Sequence, residues 1–332
     1  AVIVFHSGVQ LFDGGYTGVD VFFVISGYFI TAVILEELDE KRFNIRDFYE
    51  RRARRIFPAL LFVTIITTIA SCLILYPSDL ISFAKSLIAT PLFSTNFLFW
   101  SERGYFGEPS ELKPLLHLWS LAIEGQFYII FPVFLIILSK YRKLLHRILA
   151  LAITLSFTAS YAATQLHQDT AFYFTPTRAW ELLAGSLAYL HHEKRSQRPT
   201  AYGNGAEILA FMGIGLILYS YFRFDAATPF PGSYAVLPVL GTYLVIVFAS
   251  ETKYLNTILS FKPFIFIGAT SFSLYLWHQP IFSLTRHLKI FQDKLPVIII
   301  TVFVLSYLTY RYIEKPFKEN RFAKKNRTNL AF

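Results

Sequence analysis

Long apolar stretches alternate with short polar segments along the whole chain. The eleven apolar stretches are 1–8, 18–35, 56–76, 83–100, 117–138, 147–164, 177–190, 206–221, 235–249, 263–284 and 295–313. Most approach the roughly 20 residues that a helix needs to cross the hydrocarbon core of a bilayer. Only helices and closed barrels satisfy every backbone polar group in lipid. The pattern therefore predicts an all-α, polytopic bundle of transmembrane helices.

The charge of the connecting segments indicates which stretches cross the membrane. Positive residues of membrane proteins concentrate in cytoplasmic loops. The segments 36–55, 139–147 and 191–204 are basic, so we expect all three on the cytoplasmic side. Three apolar stretches separate the first two segments, and three crossings would place those segments on opposite sides. One of the three stretches is therefore not a span.

The weakest of these stretches is 83–100, which contains Lys85, Pro91 and Asn96. We predict that 77–116 is an outer-face segment that enters the membrane and returns, which is tolerated where protein covers the backbone. About ten spans remain, and both ends of the chain, including the basic tail after Tyr312, are expected in the cytoplasm. Residues 1–332 are interpreted as one transmembrane domain whose first span lacks its beginning, because the chain starts inside an apolar run.

The composition supports a membrane protein. Hydrophobic residues make up 54% of the chain and charged residues 16%, against about 25% charged residues in a soluble domain. The net charge of +9 is explained by cytoplasmic loops and contact with anionic lipid, because the basic residues lie between apolar runs. We therefore expect no nucleic-acid partner. The single cysteine, Cys72, excludes an intrachain disulfide.

Ionisable residues inside apolar stretches are the candidate catalytic groups, because each one is costly in lipid and marks a functional site by default. His6 ends the first stretch and Asp20 begins the second, with a glycine-containing turn between them. A histidine paired with a carboxylate is an arrangement for general-base chemistry. The alternative is a structural hydrogen bond between two helices.

Three further spans carry such groups. Ser120 and Glu124 are four residues apart and share a helix face, which Tyr128 continues. Arg178 and Glu181 are three apart and could simply pair with each other. His278 lies well inside its stretch and could be a satisfied core histidine. In the predicted topology all these groups, with His6 and Asp20, lie toward the outer face, which is stronger evidence for a site than any one of them.

A cluster of arginines begins the third predicted span; it comprises Arg51, Arg52, Arg54 and Arg55. One interpretation is a topology anchor that contacts lipid headgroups. The other is a phosphate site, since guanidinium groups suit pyrophosphate. The sequence has no Walker loop and no Gly-x-Gly-x-x-Gly motif, so side chains would hold any nucleotide. His191 and His192 are a weak metal signal, and we expect no metal.

Six motifs in order resemble those of acyltransferase family 3, the membrane-bound O-acyltransferases of bacterial surface polysaccharides. His6 matches the histidine of the first helix in that family. The six motifs are the segments 14–27 (GGYTGVDVFFVISG), 48–58 (FYERRARRIFP), 118–128 (LWSLAIEGQFY), 178–181 (RAWE), 275–278 (YLWH) and 314–317 (EKPF). The likeness covers essentially the whole chain.

The resemblance implies an enzyme of the bacterial inner membrane. Acetyl-CoA would place its phosphates on the four arginines, and His6, oriented by Asp20, would deprotonate a hydroxyl of an extracytoplasmic glycan such as lipopolysaccharide O-antigen. Glu124 and His278 would support the reaction. The expected substrate-binding residues are Ser26, Trp119, Ser120, Arg178 and Glu181. Ser26 and Ser120 are also alternative transient acyl carriers.

Two departures from the family pattern matter. Gly125 stands where relatives have a second glutamate, and the N-terminal Asp-Gly-Leu-Arg segment of the family is absent. Many relatives continue past 314–317 into an exported esterase-like domain, which could be fused or separate here. Two other functions stay open: a transporter or flippase of a lipid-linked sugar, and an acyltransferase for a non-glycan acceptor.

Overall fold

The computed structural model describes residues 1–102, 110–196 and 203–319, and all regular elements in these ranges are helical. The α-helices in chain order are α1 (Val2–His6), α2 (Gly18–Asp39), α3 (Ile45–Ile74), α4 (Pro77–Ala89), α5 (Thr95–Ser101), α6 (Leu118–Leu138), α7 (Arg142–Leu166), α8 (Gln168–Tyr173), α9 (Thr175–Ser196), α10 (Gly203–Arg223), α11 (Val236–Phe248), α12 (Lys253–Leu259), α13 (Lys262–His287), α14 (Leu295–Thr309) and α15 (Lys315–Lys318). The predicted all-α fold is therefore confirmed.

Six helical segments in the described ranges are long and apolar enough to cross a membrane: Phe12–Asp39, Ile45–Ile74, Leu118–Leu138, Arg142–Leu166, Gly205–Arg223 and Leu295–Lys318. A seventh is added if the pair α11 and α12, bent by 108°, counts as one span. The helices α9 and α13, of 22 and 26 residues, have the length of a span but not the apolarity of the six. The predicted number of about ten is not confirmed.

One side of α3 shows what surrounds these helices. Its large apolar side chains recur every four residues with exposed fractions of 56–82%, at Leu61, Ile65, Ile69 and Leu73. A contiguous row of this kind is unfavourable in water and favourable in contact with acyl chains. Together with the six apolar helices, the row identifies a multi-pass membrane protein.

The segment between α3 and α6 does not form a spanning helix in its described part. Instead α4 and α5, of 13 and 7 residues, are separated by a turn in which Phe93 has a φ of 49°. Neither helix approaches the roughly 20 residues of a span. No continuous helix of span length thus forms over 83–100, and the failure of this segment to cross the membrane stays a prediction. Its entry into the membrane and return stays a prediction, and residues 103–109 lie outside the described part.

The basic segment 36–55 requires a correction, because most of it is helical. The α2 helix continues to Asp39, and α3 begins at Ile45, where the side chain of Asn44 accepts a hydrogen bond from the backbone N–H of Arg46 at 2.9 Å. Asparagine is a favoured residue at this capping position. The arginine cluster is therefore part of a helix and not of a loop. Of the other basic residues assigned to loops, Arg198, Arg321, Lys324, Lys325 and Arg327 lie outside the described residues.

The described chain divides into two compact units. Unit 1 comprises Ala1–Phe43, Phe99–Ser101 and Trp119–Lys262, and unit 2 comprises the described residues of Asn44–Leu98, Glu102–Leu118 and the part from Pro263 on. In unit 1, α9 packs against α2, α7 and α11. The contact of α2 with α9 is close because two glycines face each other: a Cβ on Gly27 would lie 1.8 Å from the carbonyl oxygen of Leu182, and one on Gly185 would lie 1.9 Å from that of Val24. Small residues that let backbones touch are typical of helix pairs in membranes.

In unit 2, α3 packs against α4, α15 and the π-helical turn Tyr310–Glu314. Polar groups on α13 connect to this region. The indole N–H of Trp277 donates to Oγ1 of Thr309 at 2.8 Å, and the hydroxyl of Ser273 donates to Oε2 of Glu314 at 2.7 Å. Since these groups are buried away from water, each bond satisfies a polar atom that would otherwise be costly.

Candidate active site

The centre of unit 1 holds a buried group of charged side chains. Asp20 is on the first turn of α2, and Arg178 and Glu181 are on the first two turns of α9. The guanidinium of Arg178 lies 3.0 Å from Oδ1 of Asp20 and 3.0 Å from Oε1 of Glu181. All three residues are 0% exposed. The pairing of Arg178 with Glu181 is thus present, and a second carboxylate, from another helix, joins it.

Aromatic rings surround the guanidinium of Arg178. Its central carbon lies 5.5–5.8 Å from the centroids of four rings, which belong to Phe23, Trp119, Phe172 and Phe230. Contacts of this kind stabilise a desolvated cation by about 2 kcal/mol or more. Trp119, a predicted substrate-binding residue, also packs its ring on Phe172 with centroids 4.5 Å apart.

This surrounding defines what Arg178 does in the structure. Two carboxylates and four rings enclose its guanidinium, so its contacts fix α2 against α9 at the level of Asp20. We predicted that Arg178 and Glu181 bind substrate. In the structure Arg178 pairs with both Asp20 and Glu181, and the contact of Arg178 and Glu181 with substrate stays a prediction.

A second polar group in unit 1 connects α2 to α6. Tyr128 donates its hydroxyl proton to Oε1 of Glu124 at 3.1 Å, and the hydroxyls of Ser26 and Tyr128 are hydrogen-bonded. Because the one proton of Tyr128 goes to Glu124, Ser26 must be the donor to Tyr128. Ser26 and Tyr128 are 8% exposed and Glu124 is 2% exposed. The predicted face formed by Glu124 and Tyr128 on one helix is confirmed.

The remaining predicted residues of unit 1 are His6 and Ser120. His6 ends α1 and is half-buried, with its ring edge-to-face on Phe5 at a centroid distance of 5.0 Å. The 3₁₀ segment Gln10–Thr17 lies between α1, which ends at His6, and α2, which carries Asp20. Ser120 is buried on α6. The pairing of His6 with Asp20 stays a prediction.

The arginine cluster lies in unit 2, on the first turns of α3. Arg51 and Arg55 are exposed and four residues apart, so they lie on one side of the helix. The guanidinium of Arg54 is paired with Glu50, and that of Arg52 lies 5.7 Å from the ring centroid of Phe48. The geometry therefore fits a phosphate-bearing ligand, with Arg51 and Arg55 facing outward.

His278 is also in unit 2, where it is fully buried on α13. Its Nδ1 lies 2.6 Å from the carbonyl oxygen of Tyr275, so Nδ1 donates a hydrogen bond to that oxygen. The ring of His117 lies edge-to-face to it with centroids 5.4 Å apart. A pair of buried histidines was not expected from the sequence, in which His117 was only the residue preceding a motif.

A row of side chains on α13 holds the segment that carries His117. The donors recur every four residues: Tyr275 to the carbonyl of His117 (2.6 Å), Gln279 to that of Lys113 (3.1 Å), and Ser283 and His287 to that of Leu112 (2.6 and 3.0 Å). This row was not predicted from the sequence. Polar residues with a period of four inside an apolar stretch are the signal that could have found it.

No group of three or more His, Cys, Asp or Glu side chains is arranged to hold a metal ion in the ranges 1–102, 110–196 and 203–319. His191 and His192 are instead hydrogen-bonded to tyrosines, His191 to Tyr243 and His192 to Tyr28. The chemistry that these two units present is that of carboxylates, hydroxyls, imidazoles and guanidinium groups.

Known proteins resemble the chain along its length. It is 32% identical to "Peptidoglycan O-acetyltransferase OatA" of Listeria monocytogenes, in an alignment that covers 97% of this chain and 54% of that protein. It is 28% identical to "O-acetyltransferase OatA" of Staphylococcus aureus, with 97% and 55% covered. The chain thus spans about half the length of these curated relatives. No solved structure matches it significantly.

A family model tests the resemblance to acyltransferase family 3 that the six motifs indicated. The model described as "Acyltransferase domain" matches residues 1–311, which include all the candidate residues of both units. The match therefore extends from the helix that ends at His6 to the turn that contains Arg311. The chain belongs to acyltransferase family 3.

Proposed function

We propose that this protein transfers an acetyl group from cytoplasmic acetyl-CoA to a hydroxyl of an extracytoplasmic glycan. The observation that carries the proposal is the match along 97% of the chain to proteins named as O-acetyltransferases. The structure adds a multi-pass helical bundle with buried polar groups in one unit and exposed arginines in the other. The protein would lie in the bacterial inner membrane with about ten spans and with both ends of the chain in the cytoplasm.

The donor site would be the beginning of α3. The 3′-phosphate and pyrophosphate of acetyl-CoA would bind Arg51 and Arg55, with Arg52 and Arg54 beside them. The exposure of Arg51 and Arg55 on one side of the helix supports this, because planar guanidinium groups form paired hydrogen bonds with phosphate. The long pantetheine arm would carry the thioester into the protein.

The chemical step would use His6 as general base. His6 takes the proton of the acceptor hydroxyl while the hydroxyl oxygen attacks the thioester carbonyl, the C–S bond breaks, and the thiolate of coenzyme A leaves. Asp20 would stabilise the imidazolium, and its fixed position beside Arg178 supports this because an orienting carboxylate must not rotate. Glu124 and His278 would stabilise the developing charge or position the acceptor.

The acceptor is proposed as a class, the hydroxyl groups of cell-surface glycans. The name of the Listeria relative includes peptidoglycan, whereas the family resemblance also covers lipopolysaccharide O-antigen. Peptidoglycan is the first acceptor to test. Mass spectrometry of glycans released from cells with and without the protein distinguishes peptidoglycan from O-antigen as the acceptor. The protein-dependent acetyl ester should appear on only one of these two glycans.

His6→Ala tests the proposed chemistry. General-base catalysis is typically worth about 10²–10⁴-fold in rate, so the variant should lose detectable transfer from radiolabelled acetyl-CoA to the glycan while still inserting in the membrane. His146→Ala is the matched control, because His146 is half-buried on α7 and bonds to the carbonyl of Arg142 in its own helix. Wild-type activity of His6→Ala would refute the role of His6. Transport of a lipid-linked sugar without acetyl-CoA would favour a transporter.

A further inference from the structure

The chain of hydroxyl and carboxyl groups between α2 and α6 is not explained by the proposed use of His6 and Asp20. Ser26, Tyr128 and Glu124 are hydrogen-bonded in series, although Ser26 and Tyr128 are 102 residues apart in the sequence. Structural polar bonds between membrane helices are common. This one is distinctive because it has a direction and ends on a carboxylate.

The direction of the series follows from counting protons. Glu124 accepts from Tyr128 and Tyr128 accepts from Ser26, so a proton leaving Ser26 can move to Tyr128 while the proton of Tyr128 moves to Glu124. The oxygen of Tyr128 is already engaged by the hydroxyl of Ser26. The oxygen of Ser26 stands at the donor end of the series and gains negative charge as the protons move. A hydroxyl coupled in this way to a base is the usual form of an activated nucleophile.

The surroundings of Ser26 also suit this role. Ser26 lies on the same helix as Asp20, six residues further along α2, which is about 9 Å along the helix axis at 1.5 Å per residue. The neighbouring Gly27 touches the backbone of Leu182, so α2 is fixed at this point. Ser26 and Tyr128 keep 8% of their surface exposed and Glu124 keeps 2%, so all three groups of the series are buried.

We propose that Ser26 is a nucleophile that carries the acyl group between the donor and the acceptor, with Tyr128 and Glu124 as its proton relay. This inference rests on the proposed acetyl transfer and replaces the direct attack of the acceptor on the thioester by two steps through a serine ester. In the first step the oxygen of Ser26 bonds to the thioester carbonyl carbon, the C–S bond breaks and the thiolate leaves, while the serine proton passes through Tyr128 to Glu124. In the second step the acceptor hydroxyl attacks the serine ester, His6 takes its proton, and Ser26 regains a proton from Glu124.

Peptide mapping of the acylated protein tests the proposal. Full-length protein in proteoliposomes is incubated with radiolabelled acetyl-CoA without glycan, quenched and digested. We expect label on the peptide that contains Ser26, loss of the label with hydroxylamine, and its transfer to glycan when acceptor is added. A structural role for the series would produce no covalent label.

Three variants separate the roles of the series. Ser26→Ala should remove both label and transfer, Ser26→Cys should restore a labelled thioester, and Tyr128→Phe should slow labelling by at least about 100-fold. Ser220→Ala is the control, because Ser220 is a buried serine on α10 that donates to the carbonyl of Leu216 in its own helix. It should label like the wild type.

Two outcomes would overturn the inference, and a different one would overturn the proposed function. Undiminished transfer by Ser26→Ala, or label on another residue such as Tyr128, would exclude Ser26 as carrier and leave the acetyltransferase intact. If the wild-type protein transfers no acetyl group to any glycan, the proposed function itself fails. If Ser26→Ala does not fold, the labelled peptide of the wild-type protein decides alone.

Discussion

The contact of α2 with α9 gives the sharpest test of the structure, through the substitution Gly185→Ala. The added Cβ would lie 1.9 Å from the carbonyl oxygen of Val24 and 2.7 Å from the backbone nitrogen of Tyr28. Real Cβ atoms essentially never approach within 3.0 Å of such atoms, and backbone cannot rotate away as a side chain can. The two helices would therefore have to separate by about 1 Å.

The magnitude follows from two opposing effects. Alanine improves helix propensity over glycine by about 1 kcal/mol. Overpacking typically costs about 1–3 kcal/mol and occasionally more, and a contact with backbone on both sides is at the upper end. The shift also separates Asp20 on α2 from Arg178 on α9, whose charged atoms now lie 3.0 Å apart. A displacement of 1 Å at a catalytic geometry can cost about 100-fold in rate.

The assay is thermal unfolding of the detergent-purified protein, together with acetyl transfer to glycan. We expect Gly185→Ala to lower Tm by about 2–6 °C and to reduce transfer strongly. Gly215→Ala is the matched control: it is also a glycine within a helix, but its Cβ would meet nothing within 4 Å, so it should be neutral or slightly stabilising. Equal Tm and activity in both variants would refute the close crossing of α2 and α9.

Two further predictions concern charged residues. Arg178→Leu leaves the buried carboxylates of Asp20 and Glu181 without a guanidinium, so unfolding should become easier by about 3–5 kcal/mol; exposed Arg223→Leu is the control, and equal Tm values would exclude the buried ion group. The double substitution of Arg51 and Arg55 by glutamine should raise KM for acetyl-CoA at least about tenfold with little change in kcat, because charge-assisted bonds to phosphate are lost. The control Arg46→Gln, on the first turn of α3, should leave KM for acetyl-CoA unchanged. A fall in kcat without a rise in KM in the double variant would contradict the donor site.

Hydropathy and motifs predicted several features correctly. They gave the helical class, the approximate bounds of α2, α6, α7, α10 and α14, and the absence of one span-length helix over 83–100. The reason is local: about 20 apolar residues with intrahelical hydrogen bonds are favoured in lipid whatever their neighbours are. Family membership also followed from the motifs, because their residues, order and spacing can be read directly from one sequence.

Helix ends and loop assignments were less accurate. The α3 helix begins at Ile45, eleven residues before its predicted span, because its amphipathic first turns continue beyond the apolar core. Basic residues predict the side of the membrane but not where the helix stops, since arginine is a good helix former. The arginine cluster was therefore assigned to the basic loop that precedes the third predicted span, whereas it lies within α3 itself.

The tertiary structure alone decided which polar groups meet. The sequence placed Arg178 next to Glu181 in one helix, but not Asp20 beside them, and it placed Tyr128 near Glu124, but not Ser26. Periodicity shows which residues share a face of one helix, whereas lipid and protein interiors are equally apolar, so hydrophobicity does not show which faces pair. The pairing depends on close contacts, such as that of Gly27 with the backbone of Leu182. The sequence thus determined a membrane-embedded member of acyltransferase family 3, and the packing of its helices determined the arrangement of its polar side chains.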